Sequence, residues 1–549
     1  MNLAALFAKL RQRKNTPERI QQRQAKRRKR YTHALEQFLD GHQPAVRLGG
    51  VYTLADLADE WLTDTSLPEQ VRREEAQTII DALTDCIRTP YPLAQKRQVL
   101  ESDEATEGYE GNFARDQVAL REEQLVRRTV FMELSRRLAA AESSKAGHKK
   151  SQHTVPSLSP TWSDLRFDFS GAPIFYPLRQ LHFQNADFAS ATFYGPADFF
   201  GATFHGDTSF SAAQLTADAS FQGANFSDWV GFSAAHFAGA AEFSGAQFAD
   251  AASFATVTFT GETDFSDAVF SAAADFAVSA FKSDANFSHL NTAGIASFAA
   301  VTFDGKAVFT ASTFHDEVHF AASVFNRPAV FSKSLFGGVA RFAGVVTKQS
   351  AMFSNVRFVS AADFSGASFT QYEDFGGARF DGDATFSRAS FIALPRTRYE
   401  MDFPQGANFG NATFAQDADF SKATFTAHVG FYKATFARAV SFNGASFEGA
   451  YFADATFGQR ADFRQTSFAY VEPSFEALER RLRRARFSAQ ADPQDYLFEA
   501  RPESPHGFSC GTANLLNRTF ILPVGAVLYD PDSWDEEKQD YTRISEPAK

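Results

Sequence analysis

Residues 243–287 read FSGAQFADAASFATVTFTGETDFSDAVFSAAADFAVSAFKSDANF. Phe stands at 243, 248, 254, 259, 265, 270, 276, 281 and 287, so gaps of five and six alternate and the period is eleven. The recurrence runs from Phe183 to Phe468, with Leu215, Thr292 and Thr347 where the phase calls for Phe. Two residues before most Phe sits a small residue, as in Ala246, Ala252, Ala285, Ala362 and Ala367. Alternate side chains of an extended segment point the same way. The small residue and the Phe therefore face inward, and the residue between them faces water. Asp187, Asp198, Asp264, Asp275 and Asp363 hold that outward slot, and Ser-Gly, Ala-Asp or Asp-Gly pairs suited to corners follow the Phe. Inward alternation broken by a corner every five or six residues excludes a helix and describes a β-solenoid. With four sides to a coil, a coil takes about 22 residues, and roughly 13 coils stack at ~4.8 Å to a length of about 60 Å.

The Phe residues read as core rather than as an aromatic cage. Each contributes about 1.5–3 kcal/mol on burial before entropy is charged. Small partners are required because two large side chains cannot share so narrow an interior, and stability should approach a nearest-neighbour sum. The phase slips twice. Between Phe391 and Phe403 the segment holding Pro395, Arg396, Arg398 and Tyr399 adds one residue and reads as a tolerated loop; between Phe447 and Phe452 one residue is missing.

Segments such as Ala362-Asp-Phe-Ser-Gly-Ala-Ser-Phe369 and Ala384-Thr-Phe-Ser-Arg-Ala-Ser-Phe391 resemble the pentapeptide-repeat family. The resemblance covers about half the chain. It implies a right-handed, four-sided β-helix and carries no catalytic residues. The sixth residue in every second repeat departs from the family pattern, so alternate corners are expected to bulge.

The flanks divide the rest. Residues 1–141 read as helical, with Thr16-Pro17 as a start and Asp40-Gly41 as a stop. Further helices are expected over Ala45–Leu62, Glu69–Ile87 and Ala114–Ala141. The stretches Arg30–Gln37 and Val46–Leu54 are similar to the helical module that precedes the repeats in many bacterial relatives, and loosely to a HEAT-type pair. That module often follows membrane spans in such relatives, and the sequence holds no apolar run of ~20 residues. Residues 142–160 read as a linker, in which His148 and His153 lack the further ligands a metal site needs. Residues 161–470 are assigned to the solenoid. Residues 471–500, with Phe475, Leu478, Leu482 and Ala485, suggest a helical cap, and 501–549 an irregular tail.

The composition agrees with one long array: 62 Phe against 4 Met and 4 Trp. A net charge of −11 argues against direct nucleic-acid binding by the whole chain. Cys86 and Cys510 make no disulfide framework, and the N-terminus lacks a cleavable leader pattern. A cytoplasmic protein is expected, with a peripheral site at the inner membrane face as the refinement. No phosphate loop, paired-Cys motif or His-x-x-x-His arrangement occurs, and Gly49-Gly50 is weak as a phosphate cradle. Neither an enzyme nor a cofactor is expected.

Charge is uneven. Phe183–Phe281 holds eleven acidic residues and no Lys or Arg. That third of the array approaches the charge density of duplex DNA, one per ~1.7 Å. Asp198, Glu242 and Asp264, at 22-residue multiples, should stack on one face. At the other extreme is the cluster Lys26, Arg27, Arg28, Lys29, Arg30. The reading is a non-enzymatic interaction scaffold with a protein partner. The alternative is a DNA mimic that binds a gyrase-type topoisomerase. Contact of the basic N-terminus with anionic lipid and a homodimer through the C-terminal cap are the other partner expectations.

Overall fold

A computed structural model describes residues 16–41, 43–146, 162–392, 406–477 and 483–549. The chain forms a parallel β-solenoid of about 13 coils over residues 167–468, preceded by five helices. It divides into two compact units, residues 1–251 and 252–549, each described below by itself.

The first unit opens with α1 (Pro17–Phe38), α2 (Pro44–Leu62) and α3 (Glu69–Arg88), close to their expected bounds. Pro17 takes the first helical position after Thr16. Gly50 is a packing residue: a Cβ there would lie 2.6 Å from the Phe38 nitrogen, so only glycine lets α1 and α2 cross this closely. The short α4 (Arg97–Leu100) leads to α5 (Phe113–Ala146), which runs past the expected helix end at 141; residues 147–160 of the expected linker lie outside the described residues. The helices pack directly on the first coils. Phe131 of α5 packs on Phe169 (4.6 Å), Phe183 (6.2 Å) and Phe188 (6.5 Å) of the first coils. Ser135 accepts from the His182 amide at 2.8 Å, and the Trp162 indole donates to Asp59 at 2.8 Å. α5 therefore covers the open end of the array, where unpaired strand edges would invite other chains. The seam is fixed by Arg127, 2% exposed, which donates to the Ile87 and Thr89 carbonyls and to Glu123.

Coils in this unit pair in parallel at 22-residue offsets. Ala219-Ser220 lies between Ala197-Asp198 and Ala241-Glu242, and Asn225-Phe226 between Thr203-Phe204 and Gln247-Phe248. Ala241 and Phe243 are buried and Glu242 is exposed, as the alternation requires.

In the second unit the same ladders build a core of aromatic stacks. Phe298 lies 4.9 Å from Phe276 and 4.8 Å from Phe320 with nearly parallel rings, and meets Phe309 at 5.3 Å and 87°. Each ring is thus stacked along its own column and edge-on to the next, the favourable aromatic arrangements. The two corner types differ. The five-residue gap is a tight turn closed by a hydrogen bond, as from the Ala367 amide to the Phe364 carbonyl at 3.1 Å, with a left-handed residue, Gly366 (φ 62°), before it. The six-residue gap is a wider bend that houses the extra residue. Where a small inward residue is Ser, its hydroxyl is satisfied from the neighbouring coil: Ser312 donates to the Phe287 carbonyl at 2.6 Å and Ser279 to that of Phe254 at 2.6 Å.

The first phase slip is larger than one residue. Phe409 stacks on Phe375 at 4.9 Å, and Asn408 bonds Asp374 across 34 residues instead of 22. The insertion is therefore a half-coil plus one residue. An eleven-residue period cannot register the half-coil, because both halves carry the same pattern. Residues 393–405, between the two registers, lie outside the described residues. The missing residue near 450 is absorbed where strands Thr424–Gly430 and Ser446–Tyr451 run straight through a corner.

The C-terminal region is β, not helical. Over 471–500 the described residues give strands Glu476–Ala477, Arg483–Arg484, Arg486–Ser488 and Tyr496–Ala500; residues 478–482 lie outside them. Phe475 continues the column of Phe452 (5.0 Å) and Phe487 that of Phe457 (4.5 Å), so coil stacking overrides the helical spacing. The expected irregular tail is ordered too. A hairpin of Cys510–Leu515 and Arg518–Pro523 and a strand Val527–Tyr529 bury Phe520, Leu522 and Leu528, closing this end.

Candidate interaction surfaces

The outward slot carries the acidic residues, and most have local work. Asp187 accepts from the Ala189 amide (2.8 Å), Asp198 from Phe200 (3.2 Å), Asp264 from Ser266 (2.8 Å), Asp275 from Ala277 (2.9 Å) and Asp363 from Ser365 (2.9 Å). A carboxylate two residues before an amide is the Asx turn, which starts the corner. Others bind the adjacent coil: Asp218 accepts from the Ala240 amide and Asp228 from that of Gly206. The choice of Asp in Ala-Asp-Phe thus follows from turn formation. Asn286 and Asn408 do the same turn work without charge.

Asp198 and Glu242 stand in one column, with Ser220 between them. Asp198 is offset by Arg179, 3.2 Å away, so this column keeps Glu242 as its exposed carboxylate. In the second unit Asp264 begins a column that continues Asn286, Val308, Val330, Met352 and Asp374. Its middle is apolar, so the acidic row does not persist there.

The basic cluster lies on α1. Arg27 pairs with Asp64 (2.8 Å), Arg28 with Glu75 (2.5 Å) and Arg30 with Glu60 (2.7 Å). These guanidiniums bind α1 to its neighbours, while Lys26 and Lys29 stay exposed. Three of the five cations of the expected lipid contact thus also make ion pairs, with Arg28 still exposed. Burial works against the Glu123 carboxylate, yet Arg47 and Arg127 hold it below its usual range. Glu123 and Arg127 stand at i,i+4 on α5, a spacing the sequence displays, but Arg47 joins them from α2, 76 residues away, and that partner has no sequence signal.

One inward residue breaks the chemistry of the interior. Glu373 stands where the column below it reads Ala351, Ala329, Ala307 and Ala285. It is fully buried, neither oxygen has a hydrogen-bond partner, and burial pushes its pKa up to about 8.

A family model described as pentapeptide repeats, in nine copies, matches residues 188–236, 221–268 and 425–467. The solenoid is a pentapeptide-repeat array. The same strand and turn geometry runs through the repeats between the matched segments, as in Phe342–Phe364. No curated protein and no solved structure matches the chain. None of the helices among the described residues is long and apolar enough to cross a membrane.

Proposed function

We propose that this pentapeptide-repeat protein is a non-enzymatic interaction scaffold. The observation that carries the reading is where the sequence puts its chemistry. The interior is filled by Phe columns, α5 covers one end in the first unit, and a β cap covers the other in the second. What is left for function is the outer surface, whose polar residues vary while the core repeats. Such arrays present extended surfaces to partners. The alternative of a DNA mimic draws on Glu242 and the acidic first third. It is weakened by the turn-forming duty of the aspartates and by the Arg179–Asp198 pair.

Affinity capture with the full chain from a lysate of its source organism, at low and at high salt, tests the proposal. Retention of defined protein partners above background is expected. A topoisomerase lost on Glu242→Lys would favour mimicry, and no specific retention under any salt condition would end the scaffold reading.

A further inference from the structure

The solvent face of α5 carries a line of apolar side chains that nothing in the first unit covers. Val118, Leu125 and Met132 are 54%, 52% and 51% exposed. They recur every seven residues, close to two helical turns, and so form one row about 21 Å long. Arg121 and Arg128, also exposed, sit three residues after Val118 and Leu125 and flank the row on one side. Neither guanidinium meets a carboxylate among the described residues, whereas Arg27, Arg30, Arg47, Arg127 and Arg137 all do. The packing of α5 does not require these five side chains: its buried stripe is Leu120, Val126, Val130, Phe131 and Leu134.

Spacing and charge together restrict the occupant. A lipid surface takes a broad apolar face, whereas here one apolar side chain and one Arg alternate along a narrow strip at heptad spacing, which suits a partner helix that offers apolar and acidic side chains in turn. A second copy of α5 would set the Arg121–Arg128 row against itself, with Glu122 the one fully exposed carboxylate between Phe113 and Leu138. Residues 1–15, with Lys9, Arg11, Arg13 and Lys14, carry the same sign. We infer that the face of α5 defined by Val118, Arg121, Leu125, Arg128 and Met132 docks an acidic amphipathic helix of a protein partner. Apolar side chains at heptad spacing meet the row, and Asp or Glu beside them take the two guanidiniums in bidentate pairs. This deepens the scaffold proposal and rests on it.

The test uses the full chain and two labelled helical peptides of about 21 residues, three heptads with Leu at the first and fourth positions. One carries Glu at the flanking positions and the other Lys, and binding is read by fluorescence anisotropy at low salt. The Glu peptide is expected to bind and the Lys peptide not. Leu125→Asp should weaken binding at least about tenfold, and the double change Arg121→Glu, Arg128→Glu should transfer preference to the Lys peptide. Circular dichroism checks that both variants stay folded. Equal binding of the two peptides, binding indifferent to Leu125→Asp, or Leu125-dependent sedimentation with phosphatidylserine vesicles without peptide binding would each overturn the assignment. Partners captured equally by the Leu125→Asp chain overturn it too, and leave the scaffold proposal standing.

Discussion

Glu373→Gln should make the second unit less sensitive to alkali. The carboxyl is buried in the aromatic interior without a hydrogen-bond partner, and its pKa rises from 4.5 to about 8. A raised carboxyl pKa means that the folded chain holds the proton more tightly than the unfolded chain. Stability is then fully present below the unfolded value, falls as pH rises between 4.5 and about 8, and is level above that. A shift of this size corresponds to roughly 4–5 kcal/mol across the window, at 1.36 kcal/mol per unit. Because stability in a solenoid is close to a nearest-neighbour sum, the loss should be local, in the ladder of Ala351, Glu373 and the following coil at Asn408. The assay is amide hydrogen exchange of the intact chain and its Gln variant at matched pH values of about 5 and 9, corrected for intrinsic rates. Protection of residues 373–375 and 408–410 should be similar at the lower pH and clearly higher in the variant at the upper pH. A difference between the two chains that does not change with pH would show that water or a partner reaches the carboxylate, and the reasoning would fail.

Other substitutions probe the corners, the core and the covered end. Val278 adopts φ 61° and is 61% exposed, so Val278→Gly should stabilise by about 1–2 kcal/mol in chemical denaturation by removing left-handed strain at little packing cost. Thr292 replaces a Phe between Phe270 and Phe314 and leaves its hydroxyl buried and unpaired; Thr292→Val should raise stability by roughly 1 kcal/mol, read from the same curves. Phe131→Ala should cost about 3–5 kcal/mol and expose apolar surface at the first coils, seen as increased dye binding. Arg127→Met leaves buried Glu123 with Arg47 alone and strips the Ile87 and Thr89 carbonyls of their donor, and a loss of about 3 kcal/mol or more is expected on thermal unfolding in the first unit.

The solenoid was legible because its interior has one dominant requirement. A Phe every five or six residues, preceded by a small residue, has no helical reading, and Phe204, Phe226 and Phe248 stack as that spacing demands. The half-coil at Phe391–Phe409 was not legible, since two halves with the same inward pattern are interchangeable to a sequence period. The C-terminal cap was misread for a related reason. Phe475, Leu478, Leu482 and Ala485 fit a helical repeat, but Phe475 and Phe487 also fit the columns beneath them, and stacking on a finished coil outweighs the local preference. Candidate surface residues were visible as charge and invisible as pairings. Arg27 and Asp64 stand 37 residues apart, and Asp198 finds Arg179 only once a coil is closed.

The alternation of tight turn and wide bend also fixes how the array should respond to force. Each coil is held to the next by hydrogen bonds along its strands and by ring contacts such as Phe298–Phe320. Tension applied along the stacking direction loads one coil boundary at a time. A released coil of 22 residues exchanges a step of about 4.8 Å for roughly 70 Å of extended chain. Pulled from a chain end, the repeat should therefore yield as a regular sawtooth, with the 34-residue coil at Asn408 giving a longer tooth than its neighbours.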